Sequence, residues 1–150
     1  MSSKPQSLVL AYPVPDQAAA MAHLDEKLAM TTDCADVYHD LENRVDGIVV
    51  VDARSAEAFA RAHIPGAISF PHRTMNAQTT ASLDRSKTYV VYCDGIGCNG
   101  SIHGTRKLTA LGFKAKEMLG GIDWWHRFEG YALHTAATQE PALAAVKCGC

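Results

Sequence analysis

Short apolar runs alternating with stretches of helical periodicity constrain this chain most. Ile48–Val51 leads into Asp52, Tyr89–Tyr92 leads into Cys93, and Ala115–Met118 follows Leu111-Gly112-Phe113. Segments of this length between helices read as strands buried on both faces. Helical stretches follow each of them: Ala56–Ala62, Ile102–Leu111 and Gly121–Glu129. Strand–helix alternation joins neighbouring strands by crossovers, which makes them parallel. The expected fold class is therefore α/β, an open and mostly parallel sheet with helices on both faces, and Ala67–Phe70 is expected to add a short strand. Upstream, Asp16–Met30 and Asp33–Arg44 read as helices. Ala20, Leu24 and Leu28 recur at helical spacing in the first, Val37 and Leu41 point inward from the second, and Asp46-Gly47 ends it.

A chain of 150 residues can bury one core but not two. One domain over 1–150 is expected, with a core at about 34–134, a helical segment at 15–31 and a tail at 135–150. A net charge of −2 advertises no basic face for nucleic acid. No apolar stretch reaches the roughly 20 residues that span a bilayer, and Leu8–Tyr12, broken by Pro13, is too short for a secretory core. The expected compartment is the cytoplasm.

In a parallel sheet, ligands bind outside the carboxyl ends of the strands. Cys93 stands at such an end and opens a glycine-rich loop, Cys93-Asp94-Gly95-Ile96-Gly97-Cys98-Asn99-Gly100-Ser101, that runs into a helix. A helix N-terminus carries partial positive charge and free N–H groups, which stabilise a thiolate. Two readings of Cys93 stand side by side: a reactive nucleophile, or a buried structural cysteine. The five cysteines form no even framework. Cys148-Gly149-Cys150 is a dithiol that suits either a frayed tail or a redox accessory, and two thiolates do not complete a zinc site.

Further motifs occur in a fixed order. Asp52-Ala53-Arg54 ends the first strand, His63-Ile64-Pro65-Gly66-Ala67 follows, then the Cys93 loop, Leu111-Gly112-Phe113, Gly120-Gly121-Ile122-Asp123-Trp124-Trp125 and Gly130-Tyr131. Together, from Ile48 to about Leu133, they resemble the rhodanese-like domain family. The resemblance implies a sheet of about five strands. It also implies that Cys93 takes sulfane sulfur from a small donor anion such as thiosulfate, holds it as a persulfide, and passes it to a thiol or to cyanide. That chemistry needs no metal and no organic cofactor. The resemblance favours a structural Asp52–Arg54 network over an anion-steering Arg54, and His63 reads as a histidine bonded to nearby backbone rather than a general base. Trp124 and Trp125 read as core or rim packing.

The loop departs from the family pattern in three respects. Asn99 falls where phosphatase-like and arsenate-reducing relatives carry an arginine, and most sulfur-transferring relatives have a loop one residue shorter. The loop holds Asp94 and no Lys or Arg, so anion capture falls to residues outside it, Arg73 or Arg54. It also contains a second thiol, Cys98, either a redox partner of Cys93 or simple loop packing. Three function classes follow: a sulfurtransferase, a phosphatase or arsenate reductase on the same fold, and a non-enzymatic regulatory or sulfur-carrier binding module. The last predicts loss of the loop cysteine, which is present. The missing arginine weighs against the second.

Overall fold

The computed structural model describes residues 4–135. Its elements are α1 (Gln17–Met30), β1 (Thr31–Thr32), α2 (Cys34–Glu42), β2 (Ile48–Asp52), α3 (Ala56–Arg61), β3 (Ala62–His63), β4 (Ile68–Ser69), β5 (Thr88–Tyr92), α4 (Gly100–Ala110), β6 (Lys114–Met118), α5 (Gly121–Asp123) and β7 (His134–Thr135). Five strands form one all-parallel sheet in the order β1-β6-β5-β2-β4. β3 and β7 pair antiparallel as a separate small ribbon that the sequence pattern did not announce.

Alternation along the central strands divides the core between the two faces of the sheet. Val50, Val90 and Tyr92 pack with Cys34 and Val37 of α2 and with Ile122 and Trp125. Val51, Tyr89 and Val91 face the other way, onto Leu108 of α4, Met75 and Phe113. Helices therefore cover both faces, as the alternation of runs implied. Three helix starts are fixed locally: Asp16, Asp33 and Ser55, ahead of α1, α2 and α3, accept a hydrogen bond from the third residue on, Ala19, Asp36 and Ala58.

The helix expected from the spacing of Ala20, Leu24 and Leu28 is α1; it has no buried residue, and Leu28 is 72% exposed. The helix is tied to the sheet at its C-terminal end, where Lys116 donates to the Leu28 carbonyl over 3.0 Å. One expectation changes: the final helix is not α-helical throughout. After one turn of α5 the chain widens into a π-turn over Trp124–Phe128, closed by Glu129 N–H on the Trp124 carbonyl. Trp125 is buried there, its indole N–H donating to the Ala132 carbonyl, while Trp124 stays partly exposed. Residues 136–150 lie outside the described part of the chain, and with them the Cys148/Cys150 pair.

Candidate active site

β5 ends at Tyr92, in the middle of the sheet, so the next residue emerges at the carboxyl edge between β6 and β2. Cys93 occupies that position and is 1% exposed. Its backbone is gripped from above: Ile122 N–H donates to the Cys93 carbonyl (3.0 Å) and Asp123 N–H to the Asp94 carbonyl (2.8 Å). This close approach requires glycine at position 121. Gly121 has φ +62°, and a Cβ there would stand 2.5 Å from the Cys93 carbonyl oxygen.

Beyond Cys93 the loop turns back on itself. Cys98 N–H donates to the Gly95 carbonyl over 3.1 Å, and Gly97 takes φ +95°. The turn brings Cys98 to Cys93, and the two sulfurs are joined in a disulfide with a Cα separation of 6.5 Å. Asn99 then precedes α4 without a side-chain cap, so the first-turn N–H groups of this 11-residue helix receive no capping side chain at the end of the loop.

A cavity of about 590 Å³ opens over the loop. Cys93 and Cys98 line it with Gly95, Ile96, Gly97 and Ser101. The opposite wall comes from elements distant in sequence: Asp33 and Cys34 at the start of α2, Glu117 and Leu119 at the end of β6, and Trp124. None of these wall residues carries a catalytic motif, and only the placement of β6 beside β5, with β1 beside β6, brings them here. The lining is apolar for the most part, its charged members among the described residues are the carboxylates Asp33 and Glu117, and no Lys or Arg lines it. Glu117 accepts a hydrogen bond from Ser101 over 2.7 Å. Cys34 is buried, and its thiol points to the carbonyls of Leu119 and Gly121. Burial first, then the carboxylates of Glu129 and Asp33, push this thiol up to about 12, so it stays protonated and inert at neutral pH.

The structure separates the arginines from the cavity. Arg54 is 3% exposed and holds Asp52 with two nitrogens, Nε to Oδ1 (2.9 Å) and Nη2 to Oδ2 (2.6 Å). Nη2 also donates to the Ala62 carbonyl, and Nη1 reaches Asp94 Oδ1 at 3.5 Å. All three nitrogens of this buried guanidinium have protein acceptors, which favours the structural Asp52–Arg54 network over anion binding. The same contact turns the Asp94 carboxylate inward, away from the cavity lining. Arg73 sits exposed in the 3₁₀ turn His72–Thr74, and Asn99 is exposed at the end of the loop; neither lines the cavity. Nδ1 of His63 donates to the Phe59 carbonyl over 2.8 Å, a backbone bond rather than a base poised over Cys93. Cys93, Asp94 and Cys98 place ligand atoms within 4.8 Å of one another. A structural zinc site takes four ligands, and Asp94 is already bound by Arg54.

A model of the Rhodanese-like domain matches residues 35–128. The chain belongs to the rhodanese-like domain family. A stretch of 92 residues is 34% identical to a tRNA sulfurtransferase of Pyrobaculum aerophilum, covering 61% of this chain and 18% of that protein. The rhodanese-like chain thus spans under a fifth of that relative's length. Among solved structures, the BH2092 protein of Bacillus halodurans is 40% identical, with a TM-score of 0.77 over 81% of this chain and 88% of that one. The rhodanese-like domain of the Alr3790 protein from Anabaena shares the fold at 24% identity and a TM-score of 0.63, over 77% and 86%. A Rhodopseudomonas palustris protein described as a possible tyrosine phosphatase shares the fold at 20% identity and a TM-score of 0.59, over 88% and 100%.

Proposed function

We propose that this rhodanese-like chain is a sulfurtransferase in which reduced Cys93 accepts sulfane sulfur as a persulfide and yields it to a thiol. One observation carries the reading: a cysteine at the carboxyl end of the central strand stands on the floor of a cavity, its loop leading into the start of α4. The family match and the stretch shared with a tRNA sulfurtransferase support the same class of chemistry. The Cys93 thiolate attacks the outer sulfur of the donor; a Cys93 S–S bond forms, the donor's sulfur bond breaks, and the electron pair leaves with the rest of the donor. Backbone N–H groups at the start of α4 stabilise the anions on either side of this step. An acceptor thiolate then takes the outer sulfur and returns Cys93 as thiolate. The disulfide with Cys98 must be reduced before the first attack, which suits a reducing compartment such as the cytoplasm.

The donor class follows from the lining. Thiosulfate is a dianion, and a cavity walled by Ile96, Leu119 and Trp124 with the carboxylates of Asp33 and Glu117 opposes it. An organic persulfide with an apolar or net-neutral body suits it better. Phosphoryl transfer wants a guanidinium clamp, and the cavity lining holds none. The test is Cys93→Ser in the reduced protein, with sulfur transfer to cyanide and to thiols as the readout. Transfer is expected to fall to background, and a variant that keeps most of the parent rate removes Cys93 from the reaction.

A further inference from the structure

We infer that Cys98 is an internal resolving thiol, which discharges the Cys93 persulfide as hydrosulfide and leaves the Cys93–Cys98 disulfide. The inference rests on the reading of Cys93 as the sulfur acceptor and adds a second outcome to the reaction. Its basis is the shape of the loop. The turn closed by Cys98 N–H on the Gly95 carbonyl, with Gly97 at φ +95°, holds the two cysteines 6.5 Å apart at Cα. That separation lies within the roughly 4.4–6.8 Å that a disulfide spans. The folded loop therefore meets the requirement for a sulfur–sulfur bond without rearranging.

Position separates the roles of the two thiols. Cys93 is buried on the cavity floor, while Cys98 is partly exposed in the same lining. An outside thiol must enter the cavity to reach Cys93, whereas Cys98 is already within bonding range, which favours the internal reaction. Cys34 lines the same cavity, but its sulfur is directed at the carbonyls of Leu119 and Gly121 and is held protonated.

The step balances. The Cys98 sulfur attacks Cys93 Sγ, the inner sulfur of the persulfide. The Cys93–Cys98 bond forms, the bond from Cys93 to the outer sulfur breaks, and that sulfur leaves with the electron pair and the Cys98 proton as hydrosulfide. The sulfane sulfur is reduced and the two cysteines are oxidised. A dithiol reductant then cleaves the disulfide through a mixed disulfide and restores both thiols. The protein so becomes a sulfide-releasing enzyme when dithiols are supplied, and a sulfur carrier only where the acceptor outruns Cys98.

The experiment is a single turnover under anaerobic conditions. Fully reduced protein, freed of reductant, is mixed with one equivalent of cysteine persulfide, and released sulfide and intact protein mass are followed together. The wild type is expected to release its sulfur as sulfide and to lose two hydrogens, with peptide mapping placing the bond between Cys93 and Cys98. Cys98→Ser is expected to lose this sulfide release and to keep one added sulfur on Cys93. A wild-type protein that keeps its persulfide as long as Cys98→Ser does would overturn the resolving role while leaving Cys93 as acceptor. If neither protein gains sulfur at Cys93 nor releases sulfide above a Cys93→Ser control, both readings fall.

Discussion

The Tyr92 phenol donates to Asp52 Oδ2 over 2.7 Å and accepts from the Ile64 N–H over 3.1 Å, with Tyr92 and Asp52 both closed to water. Burial, then the Asp52 carboxylate beside it, pushes this phenol well above its ordinary range, so it remains a donor. The residue before Cys93 is thus tied to the end of β2 and to the segment after β3, and Arg54 completes the network by donating to both oxygens of Asp52.

Arg54→Met leaves the Asp52 carboxylate buried without its cation, and removing one partner of a buried pair costs about 3–5 kcal/mol. Tyr92→Phe leaves the Ile64 N–H without the phenol, a loss of about 1–3 kcal/mol. Urea unfolding checks both. A stable Arg54→Met protein with only a raised Michaelis constant would instead assign Arg54 to anion binding.

Gly121 carries the contact between α5 and the loop. Alanine there meets the Cys93 carbonyl at 2.5 Å and the Asp94 carbonyl carbon at 2.7 Å, at a positive φ. Backbone on both sides leaves nothing flexible to yield, so Gly121→Ala is expected to cost about 1–3 kcal/mol and to lower sulfur transfer by displacing Cys93. Gly47, with no atom within 4 Å of such a Cβ, is the control: at its positive φ, Gly47→Ala loses stability without the loss of transfer. Equal transfer rates in the two variants would show that the contact does not position Cys93.

Loss of the Glu117 charge should ease entry of thiosulfate. Glutamine keeps an acceptor for the Ser101 hydroxyl and removes a repulsion of about 1 kcal/mol, the size of a charge pair at close range in water-like surroundings. The Michaelis constant for thiosulfate is expected to drop about fivefold in Glu117→Gln, with little change for cysteine persulfide. An unchanged thiosulfate constant would show that cavity charge does not govern donor choice.

Cys34 sets an alkaline limit. Its thiol rises from an ordinary 9.0 to about 12 on folding, so the unfolded chain ionises first. The stabilisation is full below pH 9.0 and is lost as pH climbs toward about 12. At one pH unit above the unfolded value this group alone costs about 1.4 kcal/mol. Unfolding midpoints of the wild type and Cys34→Ala, compared at neutral and alkaline pH, should converge as pH rises; a constant gap would sink the assignment. The same protonated thiol should resist alkylation by iodoacetamide in the folded protein.

The sequence by itself determined the parallel α/β sheet and the place of Cys93 within it. Ile48–Val51 and Tyr89–Tyr92 are long and apolar enough to be buried strands whatever surrounds them, and a cysteine directly after such a strand must emerge at the sheet's carboxyl edge. Only tertiary structure decided the rest. β1 and β3 are two residues long, too short for any period, yet β1 beside β6 brings Asp33 and Cys34 to the cavity. The direction of Arg54 was open in the sequence, because the same guanidinium serves an anion or a carboxylate; the buried Asp52 took it. Leu24 and Leu28 keep helical spacing but stay exposed among the described residues, since periodicity marks a stripe and not what covers it. Cys98 likewise gains its meaning from a turn: the four loop residues between the cysteines separate or join two sulfurs according to the backbone path, and the Gly95–Cys98 hydrogen bond joins them.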